Sequence, residues 1–474
     1  MNFAPARGNG SRRGGWRPTS RMPSAAKKDS EMTTPAPPVG GLFDEVALTS
    51  LEESASKHRD SAVIRDSVIV VSYNWMRNTK ASKCNPTIMI PGSPPRWSPP
   101  SDQTQLREDQ GAFYRDRNAA QYPLHPMEPA IIAGIHADPN LAKDVNIVAC
   151  SSTLGNLLRF VRGQEKSFRI LVELIDEALF FVRRENSPTE LIPGVRGYGH
   201  TFPDAYTAWD SAVKQSTSHQ RLLRYNFGGL HLLVRFEADG FLPAPDEASK
   251  PLLSRAKGTE TFDVENLTKQ FEKAQAQLGE DTAITSTNDE LAIKETGEGV
   301  GQDRIFDLKT RALWKKDQDL LSGEIPRLWV AQISNFVAAY HERGTFKPEN
   351  IVIQDVRQDV AKWEKDQSVI LAQLVKLLHT LISKAHEQKD GKFEICRSGE
   401  GNLELRRQMV DVGETLSPSA KTQWIRSSQI ESSREEVRKG DSENTTNALS
   451  WDDGSSNDYT ACTDACHYCG RCTY

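Results

Sequence analysis

The chain has 474 residues, 37 % of them hydrophobic and 26 % charged, and its mean hydropathy of −0.56 is low for a chain that is folded throughout. Part of it is therefore expected to be tail or loop. The formal net charge of −5 excludes a uniformly basic nucleic-acid binder, although local patches can still bind phosphate. No uninterrupted apolar run approaches the ~20 residues of a membrane helix, and the N-terminus lacks the apolar core of a secretory signal, so no membrane partner is expected.

Residues 1–60 are predicted to form a disordered, basic and polar N-terminal region. Residues 1–28 contain seven Lys and Arg residues and no acidic residue, in a Gly-, Ser- and Pro-rich setting that cannot bury a core. The Arg-Gly run at 12–16 is typical of an RNA-contacting tail. An inert linker and an Arg-rich organelle presequence are the alternatives.

Residues 61–390 are predicted to form one α/β domain with a mixed central sheet and flanking helices, because short β-branched runs alternate with segments of helical spacing. A Gly-Gly pair between two of these runs predicts a hairpin. Predicted strands lie at 67–73, 86–90, 146–150, 169–182, 220–225, 229–236, 302–309 and 351–354. For the segment 169–182 a helix is the alternative. Predicted helices lie at 154–161, 264–278, 328–340 and 360–386.

Two polar segments interrupt or follow this domain. Residues 243–301 are acidic and rich in Thr, Ser and Gly, which predicts a surface insertion that contributes little core. Residues 391–474 are predicted to be a flexible C-terminal arm that ends in a cysteine cluster.

Two short acidic patterns are the strongest indication of chemistry. Glu237 and Asp239 are two residues apart on a predicted strand, as are Asp307 and Lys309, so each pair projects from one face. Clustered carboxylates bind hard divalent cations that activate water on a phosphodiester, and a nearby Lys neutralises charge on phosphorus. Solvated charge pairs are the alternative, because such patterns are frequent by chance.

The order and context of these patterns resemble the DXO-type decapping nuclease family, which has a PD-(D/E)xK-like core, over most of residues 67–354. Glu237-Ala238-Asp239 matches the family's E-x-D, and Asp307-Leu308-Lys309-Thr310 matches its E-L-K-T. Leu328-Trp329-Val330-Ala331-Gln332 resembles its W-x-Q segment. The segments at 71–75, 91–95 and 197–200 also resemble a group of fungal homologues.

The resemblance implies roles for individual residues. Glu237, Asp239, Asp307 and the Leu308 carbonyl would bind Mg2+ or Mn2+, and Lys309 and Gln332, with Glu237, would serve the attacking water. The implied activity is metal-dependent hydrolysis of RNA 5′ ends, either decapping, pyrophosphate hydrolysis or 5′→3′ exonuclease cleavage. RNA 5′ ends would be the partner, no protein partner is indicated, and the nucleus or cytoplasm is the expected location.

Three positions depart from the family pattern. Pro203 stands where the family has a metal-binding Glu, leaving Asp204 as a possible substitute, and Ser151 stands where it has an Arg that contacts phosphate. Asp307 is one methylene shorter than the usual Glu. These departures keep a second hypothesis open, in which the fold persists as a catalytically degenerate RNA-end-binding or protein-interaction module.

The last thirteen residues contain four of the seven cysteines, Cys462, Cys466, Cys469 and Cys472. Four soft ligands at this spacing predict a possible Zn2+ site, and free thiols or disulfides are the alternative. Because the cysteines are not spread along the chain as a disulfide framework, a reducing compartment is expected.

Overall fold

The fold is built on two mixed β-sheets, as seen in a computed structural model that describes residues 35–77, 85–103, 105–244, 284–286 and 291–440. The strands are β1 Leu42–Val46, β2 Ile64–Met76, β3 Thr87–Pro91, β4 Arg96–Trp97, β5 Ile147–Cys150, β6 Lys166–Ile175, β7 Ala178–Arg183, β8 Thr207–Ala208, β9 Ser216–Phe227, β10 Leu230–Ala238, β11 Gly240–Phe241, β12 Ile284–Ser286, β13 Ala292–Thr296, β14 Ile305–Ala312, β15 Asn335–Glu342, β16 Thr345–Asp355, β17 Lys392–Gly399 and β18 Leu403–Arg406. The helices are α1 Leu48–Ser54, α2 Arg117–Gln121, α3 Glu128–Ala137, α4 Ser151–Val161, α5 Thr201–Tyr206, α6 Leu321–Ala331, α7 Arg357–Asp366, α8 Ser368–Glu387 and α9 Pro418–Gly440.

Within the described residues, the larger sheet has the strand order β1-β18-β17-β6-β7-β5-β10-β9-β2-β3-β13-β12, and the smaller has β16-β15-β14-β11-β4-β8. Both sheets contain parallel and antiparallel pairs: β5 runs parallel to β7 and β10, and β14 runs parallel to β15. The predicted α/β class with a mixed sheet and flanking helices is confirmed. The predicted hairpin is also present, as β9 and β10.

Helices cover both faces of the larger sheet. On one face, α4, α6 and α8 bury leucines such as Leu157 and Leu377 in the largest hydrophobic cluster. On the other face, α3 and α9 bury Ile131 and Trp424, and Trp424 meets Phe180 edge-to-face with ring centroids 5.1 Å apart. Each such side chain contributes about 1.5–3 kcal/mol by leaving water, so these layers hold the edges of the sheets in fixed positions.

Helix α8 is the one helix in the described ranges with the length and hydropathy of a membrane span, at 20 residues and a hydropathy of 1.3. Its Leu371, Leu374, Leu378 and Leu381 are fully buried against the larger sheet. The apolar character of this helix is therefore explained by core packing. The segment 360–386, predicted as one helix, contains the end of α7 and most of α8. Gln367 is the C-cap residue of α7 and the N-cap residue of α8, and α7 buries no residue.

The segment 328–340, predicted as one helix, divides into the end of α6 and strand β15. Gln332 has the left-handed backbone conformation (φ 50°, ψ 42°) that ends α6. Strand β15 then buries Phe336 and Ala338 in the largest cluster, and Val337 and Ala339 in a third cluster beneath the smaller sheet. Because both faces are covered, its sequence shows no polar alternation that would identify a strand.

Strands also form in segments that were expected to be loop or tail. Strand β1 pairs with β18, which pairs with β17, so residues 42–46 and 392–406 lie in the larger sheet rather than in flexible ends. Strand β13 pairs with β3 and buries Ile293 within the predicted insertion. Each segment is short and polar by itself, and it is ordered because a neighbouring strand satisfies its backbone. The helix predicted at 264–278 lies outside the described residues.

Candidate phosphate-binding cavity and carboxylate site

Three neighbouring parallel strands of the larger sheet, β7, β5 and β10, end at one edge. Arg183 is the last residue of β7, Ser151 follows β5 as the first residue of α4, and Glu237 is near the end of β10. Ligands of α/β sheets commonly bind outside the carboxyl ends of parallel strands, where loops and helix N-termini converge. A binding site is therefore expected at this edge.

A cavity of about 460 Å3 opens at this edge. That volume is within the range of about 300–1,000 Å3 of small-molecule sites. Its walls combine arginines, aromatic rings and carboxylates: Arg115, Arg117, Arg183 and Arg235; Phe113, Tyr114, His200 and Trp209; and Asp116, Asp204, Glu237 and Asp239. A second cavity of about 280 Å3 shares Phe113, Arg117 and Trp209 with the first, so a groove continues past the rings.

The cationic wall is formed by Arg235 and the N-terminus of α4. The register of β10 places Arg235 beside Cys150, the N-cap residue of α4, which provides no side-chain cap. Arg235 is 6 % exposed; its Nη1 donates to Gln220 at 2.8 Å, and its Nε has no partner among the described residues. A buried, unpaired guanidinium N–H and uncapped helical N–H groups are donors suited to an anion.

The aromatic wall is a stack of Phe113 on His200, with ring centroids 3.7 Å apart and planes 3° from parallel. The Nη2 of Arg117 donates to Nδ1 of His200 at 2.9 Å. Burial, and then the charge of Arg117, lowers the pKa of His200, so the imidazole is neutral at pH 7 and accepts this bond. Asp109, 4 % exposed, accepts the backbone N–H of His200 and holds the stack at the start of α5.

Glu237, Asp239 and Asp204 all face the first cavity. Glu237 is bound by Arg117 at 3.5 Å and by Nε2 of Gln220 at 3.3 Å. Asp239 lies where the chain passes from β10 in the larger sheet to β11 in the smaller one, and it accepts the Leu308 N–H at 2.7 Å. Burial and the neighbouring Asp307 raise the pKa of Asp239 to about 7.

Asp307 lies on the other side of Asp239 and does not line the cavity. It is 3 % exposed, and Arg327 from α6 binds both of its oxygens, with Nη2 to Oδ1 at 2.6 Å and Nη1 to Oδ2. Arg327 also donates from Nε and Nη2 to Glu324 at 3.2 and 3.0 Å. Lys309 approaches Glu324 at 4.0 Å, so these charges form one alternating network between β14 and α6.

The residues present do not fit a two-metal centre. Both oxygens of Asp307 are bonded to Arg327, and Leu308 contributes its N–H to Asp239. Gln332 ends α6, where its side chain donates to the Trp329 carbonyl at 2.6 Å. Across the ranges that the structure describes, no three acidic, His or Cys side chains are grouped as metal ligands. The roles inferred for these residues from the family resemblance remain predictions.

The predicted zinc ligands Cys462, Cys466, Cys469 and Cys472 lie outside the described residues, as does the basic segment at 1–28.

Sequence reasoning missed the arginines. Arg235 is two residues before Glu237 on the same strand, and Arg183 directly follows the predicted strand 169–182, so both positions were within reach of a pattern argument. Arg117 enters from α2, 120 residues before Glu237, and Arg327 enters from α6, 20 residues after Asp307. Only the tertiary structure reveals those two.

These features define an α/β protein with two mixed sheets and a charged cavity at the edge of the larger one. The chain belongs to the family described as "Domain of unknown function (DUF8563)", whose model matches residues 50–406. No match to a curated protein was found.

Three of the solved structures to which the chain is similar illustrate the comparison. Rai1 of S. pombe is 8 % identical, with 77 % of this chain and 99 % of that chain covered and a TM-score of 0.47. Candida albicans Rai1 in complex with pU5-Mn2+ is 10 % identical, with 77 % of this chain and 96 % of that chain covered and a TM-score of 0.46. K. lactis Dxo1 in complex with manganese is 10 % identical, with 80 % of this chain and 97 % of that chain covered and a TM-score of 0.41. These are structures of DXO-type enzymes, the family that the sequence resembles, and the similarity that these matches record is one of fold.

Proposed function

We propose that this protein binds the phosphorylated 5′ end of RNA in the 460 Å3 cavity. The observation that carries the proposal is the convergence of the uncapped N-terminus of α4 with Arg235, whose Nε is buried and unpaired among the described residues. Arg117 and Arg183 line the same space. A terminal phosphate would bring acceptor oxygens to these donors.

The magnitudes favour a phosphate over a neutral ligand. Hydrogen bonds to a charged group contribute about 1.5–3 kcal/mol each, and a helix N-terminus contributes about 0.3–1 kcal/mol to a nearby anion. Arg235 is held against Gln220 and buried, so little side-chain entropy is lost when it binds. Loss of the Arg235 contact alone should therefore weaken binding by about one to two orders of magnitude.

The remaining walls suit a nucleotide. The Phe113–His200 stack offers a flat surface to a base, a contact of about 1–3 kcal/mol that does not depend on base identity. Glu237 is a half-exposed acceptor that can take a hydrogen bond from a ribose 2′-hydroxyl, the group that distinguishes RNA from DNA. The second cavity, past Trp209, provides room for the following nucleotides.

Binding is tested by fluorescence anisotropy with a 3′-labelled RNA pentamer carrying either a 5′-phosphate or a 5′-hydroxyl. We expect the native protein to prefer the phosphorylated pentamer, and Arg235→Gln to lose about 10- to 100-fold in affinity for it with little change for the other. Arg397→Gln is the matched control, because Arg397 is also 6 % exposed with an unpaired Nε within the described part, yet lies on β17 away from the cavity. Equal binding of the two pentamers by the native protein would refute the proposal.

Hydrolysis of the same RNA end, dependent on Mg2+ or Mn2+, is the second candidate. It is favoured by the position of Glu237 and Asp239, which face the cavity beside the proposed phosphate site. The metal would have to be held by these two carboxylates without Asp307, which is bonded to Arg327. The assay offers 5′-triphosphate, 5′-monophosphate and unmethylated-capped RNAs with either metal, comparing the native protein with Asp239→Ala. Metal-dependent cleavage that the substitution abolishes would establish an enzyme. Equal inertness of both proteins, with RNA binding retained, would leave the binding function alone.

A further inference from the structure

The carboxylates Asp307 and Glu324 hold a cation that belongs to the chain itself, the guanidinium of Arg327. We propose that Arg327 takes the place of a divalent metal ion in this site, so that the cavity binds its phosphorylated ligand without one. The inference deepens the proposed function and rests on it for the ligand. The replacement of the metal is a separate claim about Asp307, Glu324 and Arg327.

The geometry of Arg327 carries the claim. Its guanidinium meets both oxygens of Asp307 and one oxygen of Glu324, in the planar, two-pronged arrangement that matches a carboxylate. A metal ion could reach Asp307 only by displacing this group, since Asp307 is 3 % exposed. Displacement would also leave Glu324 without its two bonds from Arg327.

The charge balance leads to the same conclusion. Asp307 and Glu324 are the acidic groups that Arg327 contacts, and three cations lie beside them. Arg327 is one of these, and Lys309 and Arg311 approach Glu324 at 4.0 and 3.9 Å. A divalent cation binds where carboxylates carry excess negative charge. Here β14 and α6 already supply the compensating charge from their own side chains.

The backbone restrains the remaining candidate ligand. Asp239 uses one oxygen to accept the Leu308 N–H at 2.7 Å. That bond leaves Asp239 one further oxygen, and neither oxygen of Asp307 is free to join it in holding a cation. Thus Asp239 is positioned by β14 as an acceptor of hydrogen bonds.

Manganese binding tests the replacement directly, by titration of Mn2+ followed by electron paramagnetic resonance. We expect no saturable binding to the native protein up to roughly 1 mM, the weak limit of protein cation sites. Arg327→Gln removes the competing charge and should gain a saturable site, which the additional change Asp307→Asn should remove. Arg357→Gln is the control, because it breaks a comparable but exposed pair with Asp355.

Saturable binding to the native protein that Asp307→Asn abolishes would overturn the inference, as would a folded Arg327→Gln variant that gains no site. Near-ultraviolet circular dichroism shows whether that variant is folded, and the native titration decides the question if it is not. RNA binding is then measured in EDTA and in 1 mM Mn2+. Equal affinity for the 5′-phosphorylated pentamer supports the inference, and a requirement for Mn2+ contradicts it. Absence of RNA binding in both conditions refutes the proposed function without changing the manganese result.

Discussion

Replacement of Arg327 by Gln should destabilise the protein far more than replacement of a similar arginine at the surface. The change leaves Asp307, 3 % exposed, without its bidentate partner, and breaking a buried ion pair costs about 3–5 kcal/mol. The Arg327 side chain is 39 % exposed, so water can partly replace it, and we expect about 2–3 kcal/mol. Arg357 contacts Asp355 with similar geometry, but these side chains are 69 % and 47 % exposed. Arg357→Gln should therefore cost no more than about 1 kcal/mol.

The assay is urea unfolding at pH 7 followed by circular dichroism, with the free energies of unfolding compared between the two variants and the native protein. Raising the salt concentration from a low value to 0.5 M NaCl should reduce the destabilisation caused by Arg357→Gln more than that caused by Arg327→Gln, because a buried ion pair is screened less. Equal costs for the two variants would refute the claim that Arg327 neutralises a buried carboxylate. So would a cost of Arg327→Gln that disappears at high salt.

Three further predictions concern the surroundings of the cavity. Because the pKa of Asp239 is raised from 3.8 to about 7, its protonation stabilises the fold fully below pH 4, and this contribution is lost as the pH rises towards 7. Asp239→Asn should therefore raise the free energy of unfolding by about 1–2 kcal/mol at pH 8 and by less at pH 5, and equal effects at both values would contradict the raised pKa. A Cβ at Gly240 would lie 2.6 Å from the Pro95 carbonyl oxygen and from the Phe306 ring. Gly240→Ala should therefore lower the free energy of unfolding by about 1–3 kcal/mol, and it should weaken RNA binding by shifting Asp239. Unchanged stability would show that β11 can move. Phe113→Ala should weaken binding of phosphorylated and unphosphorylated RNA by the same factor, about 5- to 100-fold, whereas loss confined to the phosphorylated RNA would place the base elsewhere.

The parts of the fold that the sequence predicted are those where a local pattern records the tertiary environment. Strand β5 and helix α4 were predicted because an apolar run gives way to leucines at helical spacing, and the structure buries Leu154, Leu157 and Leu158. Strand β15 was predicted as helix because it is covered on both faces and shows no alternation. The strands β17 and β18 were missed for a different reason, since their order depends on pairing with strands more than 200 residues earlier in the chain.

The candidate site divides in the same way. Glu237 and Asp239 could be found because they are adjacent on one strand, and the structure places both at the cavity. Their electrostatic environment could not be predicted, because Arg117 lies 120 residues before Glu237 and Arg327 lies 20 residues after Asp307. Whether a carboxylate cluster binds a metal or a guanidinium depends on those distant partners, and the spacing of the acids does not encode them.

The short side chain at position 307 and the arginine at 327 are best understood as one feature. Asp307 has one methylene less than a Glu, and the guanidinium of Arg327 occupies the space in front of its retracted oxygens. Asp307→Glu should therefore overpack this buried position and cost about 1–3 kcal/mol while Arg327 is present. In the Arg327→Gln background the longer side chain has room, and the two changes should be less costly together than their sum by more than 1 kcal/mol. A double-mutant cycle from urea unfolding measures this coupling, and additivity within about 0.5 kcal/mol would show that the two positions are independent.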